Sequence, residues 1–371
     1  MKELNGRERL LRSFNKQPVD RIPVSPFIYN NFVRNFYNDT GADIIQGTVD
    51  VYKYFGFDLM HRNINIRYDE SVLDSSKWRV KVKERKEGDT TNITTVIRTP
   101  ERELVQTVQY RKISRYQEVK AVTEWFIKDI DDFKQFLKYQ PPVPALKFPE
   151  LERAKKIIGD SGITAPWISG VFNYVADYRK LDDLLMDAVL EPELYKEMME
   201  YFLQRIKAHI RYVLKEGVDV LSYAGNIASG TMVGPDFFRK NVMEYEKQLI
   251  GFIQSKGTHV LYHNCGDARN MIEVYNELGI HAFESITEPP YADNDLKDAV
   301  TRFDEHITLI GNLDQVTFLK EATPEEVKAK VKEKLEIVGG RKGFILGTTD
   351  FIDENTPYEN LFAMVEAVVN R

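Results

Sequence analysis

At 371 residues, with 43% hydrophobic and 29% charged residues and a net charge of −6, the chain has the make-up of an ordinary soluble globular protein able to bury a large core. Nothing in it is basic enough for a nucleic-acid surface, no apolar run approaches the roughly 18 residues that cross a bilayer, and the opening residues alternate charged and apolar positions unlike a signal sequence. A single cysteine excludes an internal disulfide framework, so a cytoplasmic, reducing setting or an anaerobic cell is expected.

In chain order, Asn5 caps a short helix with Glu8 in capping-box register and Leu10, Leu11 and Phe14 as its apolar stripe, ending near Gln17-Pro18. PVDRIPVSPF reads as a strand, the stretch carrying Ile44, Ile45, Val49 and Tyr52 as a helix, and FDLMHR as a second strand, with His61, Arg62 and Asn63 at its carboxyl end. Residues 78 to 112 alternate β-branched and charged positions around turns at Gly88-Asp89 and Thr99-Pro100, which predicts an inserted antiparallel β-hairpin or sheet with polar faces. After the proline-rich PPVPALKFP, the strand-helix alternation resumes with ITAPWIS and a long helix from Pro192 to Gly217, buried through Tyr195, Met198, Phe202, Ile206, Ile210 and Val213. VDVLSYAGN, HVLYHNCG, HAFESIT, ITLIGNLD and GFILGTTD are the following strands, each succeeded by a helical pattern. Capping boxes at Thr323/Glu326 and Thr356/Glu359 mark the starts of the last two helices.

Roughly eight strands, each leading into a helix, predict an α/β fold, a closed (β/α)8 TIM barrel forming one domain over residues 1–371 with the 78–112 insertion inside it. An open doubly wound sheet is the weaker reading, because no strand runs into a G-x-G-x-x-G or Walker sequence. In a barrel the residues after each strand converge on one mouth. That gathers His61, Arg62, Asn63, Tyr223, Asn226, His263, Asn264, Cys265, Asp267, Glu284, Asn312, Asp314, Thr348, Thr349 and Asp350. His263 and Cys265 read equally as two metal donors on one strand face or as a satisfied core histidine and a small buried residue. Asn226 and Asn312 read equally as ligand contacts or turn residues. Glu284, on an otherwise apolar strand, points to function, because a buried carboxylate costs several kcal/mol unless paired or used.

The order of PVDRIPV, TPEREL, EGVDVLSYAGN, HNCGD, GNLDQVTFL and GFILGTTDFIDENTPYENL resembles the uroporphyrinogen decarboxylase superfamily nearly end to end, and its corrinoid methyltransferases more than its decarboxylases. The arginine-rich stretch that holds propionates in the decarboxylases is represented only by Arg34, and LGTT stands in place of their L-G-H-G. The resemblance implies transfer of a methyl group from a methylcobalamin-type corrinoid, carried by a corrinoid protein that docks at the mouth, to a small acceptor. Family members that methylate coenzyme M hold zinc with H-x-C and a second cysteine near the C-terminus; here Thr348-Thr349-Asp350 fills that place.

A zinc-free site with tetrahydrofolate as acceptor is therefore the expectation, since its N5 needs placement rather than a Lewis acid. Asn226, Glu284 and Asp314 are its catalytic candidates, with His61, Tyr223, His263, Asn264, Asp267, Asn312, Thr348 and Asp350 binding substrate. One alternative restores zinc by adding His61 or Asp350 to His263 and Cys265, for a thiol acceptor of the coenzyme M type. A second is a non-catalytic module that binds a corrinoid or tetrapyrrole. The 78–112 insertion is a candidate rim for the corrinoid protein.

Overall fold

A computed structural model of the protein describes residues 3–369. The chain packs into two compact units, one made of Met1–Ile66, Phe148–Ile168 and Glu216–Arg371, the other of Arg67–Lys147 and Ser169–Lys215. The strands are β1 (Leu59–His61), β2 (Arg79–Glu87), β3 (Thr90–Arg98), β4 (Glu103–Lys112), β5 (Glu118–Glu124), β6 (Gly162–Thr164), β7 (Trp167–Ser169), β8 (Val220–Ala224), β9 (His259–Asn264), β10 (Ala282–Ser285), β11 (Thr308–Leu313) and β12 (Phe344–Thr348).

In the first unit β1 pairs with β6, and β7 to β12 follow one another in order across a sheet whose paired strands run parallel. Backbone bonds join these sheets. Ala165 donates to the His61 carbonyl (2.9 Å) and Ser222 to that of Pro166 (3.0 Å), while Ser25 donates to Leu346 (2.8 Å) and Asp58 to Val24 (2.7 Å). The segment around Val24 thus bridges β12 back to the residues before β1, and the ladder returns to its start. The expected strand RIPVSPF is reduced to this single parallel bridge, Val24 to Leu346, since Pro23 and Pro26 have no N–H to donate.

The barrel interior holds Met60, Ile163, Ala165, Val220, Leu261, Ala282, Ile310 and Ile345, together with Leu10 and Phe14 of the helix Gly6–Phe14. That helix opens with the expected Asn5/Glu8 capping box. The PVDRIPV motif acts as a latch beside it. Asp58, almost fully buried, accepts from Arg21 (2.8 Å) and the Val24 N–H (2.9 Å) and is also bonded to Arg9, whose Nε donates to Asp20 (2.7 Å).

The Thr323/Glu326 capping box forms. The Thr356 box does not: the last helix begins at Tyr358, one residue later than a Thr356 cap requires, and the Thr356 hydroxyl is buried with no hydrogen-bond partner among the described residues.

In the second unit β2 to β5 form a four-stranded antiparallel sheet, so the insertion continues past residue 112 to Glu124. β2 is exposed along almost its whole length, as its alternating charges require. The apolar weight lies instead on Trp78, Phe126, Phe133, Phe136, Tyr178 and Phe202, linked by ring contacts such as Trp78–Phe136 at 5.1 Å. Helices Asn30–Tyr37, Ile130–Tyr139, Pro149–Ile158, Val171–Tyr178 and Leu181–Leu190 supplement those expected from the sequence. Among the described residues no helix is long and apolar enough to cross a membrane.

Candidate active site

Side chains alternate along a strand, so the residue two positions beyond each core residue faces the same interior, one layer higher. Beyond Met60, Leu261, Ala282 and Ile310 stand Arg62, His263, Glu284 and Asn312. All four are buried. Glu284 accepts from Arg62 Nη1 (2.6 Å) and from Arg62 Nη2, and its Oε2 lies 2.8 Å from His263 Nδ1. The Arg62 guanidinium sits 4.7 Å from the centre of the Phe27 ring and 5.8 Å from that of Trp167. Trp167 also meets His263 edge-on at 5.3 Å.

The charges in this chain fix one another. Burial by itself would push the Glu284 carboxyl up, but Arg62 and His263 bring it down to about 2, so it is ionised. Burial would likewise lower His263, and its bonds to Cys265 and Glu284 raise it to about 10 instead. With Nδ1 engaged by Glu284, Nε2 is the nitrogen on the Cys265 side, and it would bind a metal only once the metal had displaced its proton.

Above this buried row, His263, Cys265 and Asp350 bring one potential ligand atom each to within 4.8 Å of one another. Cys265 and Asp350 are half-buried. Asp350 is held by its backbone: its N–H donates to Gln315 Oε1 (3.2 Å), which also accepts from the Thr349 hydroxyl (2.7 Å). Next to Glu284, Ser285 and Ile286 have φ of 111° and 52°, a left-handed region that non-glycine residues seldom occupy and that concentrates at functional sites. Ser285 donates to the Thr349 carbonyl (2.6 Å), tying β10 to the Asp350 loop. Gly311, paired with Ser285, is required here, because a Cβ would lie 2.5 Å from the Ser285 carbonyl oxygen.

Other expected site residues face elsewhere. His61, Tyr223 and Asn264 stand on the opposite strand face. His61 Nε2 bonds the Ile45 carbonyl (3.0 Å), Tyr223 bonds the buried Glu246, and Asn264 donates to the Tyr275 hydroxyl (2.6 Å). These three correct the reading that every residue at a strand end meets the mouth, since the pleat sends alternate side chains toward the helices. Asp314 accepts the N–H groups of Val316 (2.7 Å), Thr317 (3.2 Å) and Phe318 (3.0 Å), so its carboxylate is engaged as a turn and helix cap. Asp267 bonds the Thr231 hydroxyl, Thr348 accepts from the Phe27 N–H (3.2 Å), and Asn226 is exposed at a short 3-10 turn. Phe27, Trp167 and Gln315 carry no spacing signal; Arg62 is among the residues expected at the mouth, but its pairing with Glu284 follows from the pleat that puts both on the interior face.

A family model for uroporphyrinogen decarboxylase matches residues 112–371. The chain belongs to the uroporphyrinogen decarboxylase family. Within that family it is 23% identical to the methylcobamide:CoM methyltransferase MtbA of Methanosarcina mazei, across 100% of this chain and 99% of that one. It is 24% identical to a uroporphyrinogen decarboxylase of Synechococcus sp. (strain CC9605), over 57% of this chain and 59% of that one. Its backbone follows the solved structure of a methyltransferase from Methanosarcina mazei with a TM-score of 0.72 at 16% identity, covering 98% of each chain, a likeness that carries the barrel fold of the family.

Proposed function

We propose that the chain is a corrinoid-dependent methyltransferase that moves a methyl group from a methylated corrinoid, presented by a corrinoid protein, to a thiol, using zinc held by His263, Cys265 and Asp350. The observation that carries this reading is the approach of the three donor atoms to within 4.8 Å. An imidazole, a thiolate and a carboxylate suit zinc, and three protein ligands leave a fourth position for a substrate. The zinc-free reading with tetrahydrofolate rests on the missing second cysteine; the Asp350 carboxylate beside His263 and Cys265 supports the alternative in which it serves as the third donor, and the full-length likeness to methylcobamide:CoM methyltransferases favours a thiol.

Zinc would supply the positive charge that brings a thiol, with an ordinary pKa of about 8.5, to its thiolate at neutral pH. The rest is the work of this chain's residues. Glu284 takes the Nδ1–H of His263, fixing the ring's tautomer and orientation. Arg62 compensates the Glu284 charge where water does not reach, and the Phe27 and Trp167 rings hold the guanidinium in place. In the transfer the sulfur's electron pair forms the new S–C bond as the Co–C bond breaks. That bond's pair stays on cobalt, taking Co(III) to Co(I), and the thiol proton goes to solvent. Proximity and orientation are the protein's contribution.

The test supplies methylcobalamin with 2-mercaptoethanol or, separately, tetrahydrofolate, before and after chelation. Thiol methylation that chelation abolishes and zinc restores is expected. Methylation of tetrahydrofolate alone by metal-free protein would overturn the proposal.

A further inference from the structure

Solvent reaches into the mouth as far as Trp167, Ala224, Cys265, Asp350 and Phe351, all half-buried, and stops at Ser222, His263 and Glu284, which are at most 5% exposed. The pleat turns Trp167 and Ala224 to the interior, two residues beyond Ala165 and four beyond Val220. Both adjoin the metal donors: Ala224 is the register partner of His263, and the Trp167 ring lies 5.3 Å from the imidazole. From Trp167 the aromatic surface continues to Phe27 (5.4 Å between ring centres) and on to Phe351 (6.1 Å). Phe351 is fixed to the donor set, because its N–H donates to Asp350 Oδ1 (2.7 Å). A thiol bound through sulfur between His263, Cys265 and Asp350 therefore has an aromatic wall beside it, and only a methyl group at Ala224 on the next strand.

Charge beside this wall is one-sided. Residues 224–229, 265–268 and 348–353, the chain leaving β8, β9 and β12, contain neither lysine nor arginine. The Arg62 guanidinium lies buried against Phe27 and gives both terminal nitrogens to Glu284. A sulfonate or carboxylate on the acceptor's tail would give up its water beside two anionic metal ligands and gain no counter-charge from these segments. A hydrocarbon tail has no such charge to desolvate, and each methylene it buries is worth about fourfold in binding.

We infer that the acceptor is a thiol with an uncharged, apolar tail, received on Trp167, Phe27 and Phe351 beside Ala224; the inference rests on the thiol reading above. The test supplies the zinc-loaded full chain with methylcobalamin and, in turn, ethanethiol, 1-propanethiol and 1-butanethiol, whose sulfurs are nearly equal in basicity, so that the slope with chain length reports burial of the tail. 2-Mercaptoethanesulfonate and 2-aminoethanethiol serve as the charged comparisons. The ratio kcat/KM should rise about two- to fourfold per methylene, and 1-butanethiol should exceed both charged thiols by about tenfold or more. Titration calorimetry without the methyl donor should give the same order of Kd, with a more negative heat-capacity change for the longer chains. Trp167→Ala should flatten the slope, and Ala224→Leu, which fills the space beside His263, should lower the ratio of 1-butanethiol to ethanethiol by about tenfold. A flat slope in the unaltered protein, preference for either charged thiol, or a slope unchanged in both variants would overturn the tail inference while leaving the thiol reading intact. Methylation of tetrahydrofolate with no thiol turned over would overturn both.

Discussion

Arg62→Met tests whether the buried row is held together by charge. The guanidinium bonds both oxygens of Glu284, and the two side chains are 1% and 2% exposed. Methionine keeps much of the apolar contact with Phe27 and Met60 but leaves the Glu284 charge buried with only His263 beside it. Breaking one side of such a pair costs about 3–5 kcal/mol, whereas replacing both partners with apolar residues is often close to neutral. The single variant should therefore lose about that much stability at pH 7. The double variant Arg62→Met/Glu284→Leu should recover to within about 2 kcal/mol of the parent, the remainder reflecting a His263 Nδ1–H without an acceptor. Urea denaturation of chelator-treated protein is the assay, since bound metal would add its own stabilisation. A single variant within about 1 kcal/mol of the parent, or a double variant no more stable than the single, would refute the charge argument.

Asp350→Ala should reduce bound zinc well below one equivalent in purified protein, and Cys265→Ser should do the same; full zinc occupancy in both would show that the metal is held elsewhere. His61 and His281 are held down at about 4, chiefly by burial, against 6.5 when exposed. Both are neutral in the folded state, and the unfolded chain takes up their protons first. Their contribution to stability is complete above pH 6.5 and is lost as pH falls from 6.5 toward 4. The melting temperature should drop across that window, and His61→Gln should flatten the drop; an unchanged slope would contradict it. Tyr223→Phe removes a hydrogen bond to the buried Glu246 and should cost about 1–3 kcal/mol. Because Tyr223 faces away from the mouth, kcat/KM should stay within about twofold of the parent, and a loss of a hundredfold would restore it to the site.

The barrel was legible because its strands and helices follow the two periodicities that burial imposes, and the caps at Asn5 and Thr323 are local chemistry. Less legible were short helices such as Val171–Tyr178, buried on nearly every side and so without a polar face to mark their period. The same limit applied to the site. Glu284 announced itself as a carboxylate in an apolar strand, and His263 and Cys265 by their spacing. Which neighbours share their face depends on the pleat, and a list of residues at strand ends mixes Glu284 and Asn312 with Tyr223 and Asn264. Asp350 illustrates a further limit. Its carboxylate makes it a candidate ligand, but its reach to His263 and Cys265 depends on Gln315, on a different strand's loop, and on the β10 to β12 packing.

The most direct measurement is zinc-edge X-ray absorption on the reconstituted protein before and after adding 2-mercaptoethanol. The account predicts zinc with one sulfur neighbour, from Cys265, in a shell otherwise of nitrogen and oxygen, and a second sulfur at about 2.3 Å once the thiol is present. A protein that takes up no zinc, or a zinc spectrum that the thiol leaves unchanged, would contradict it.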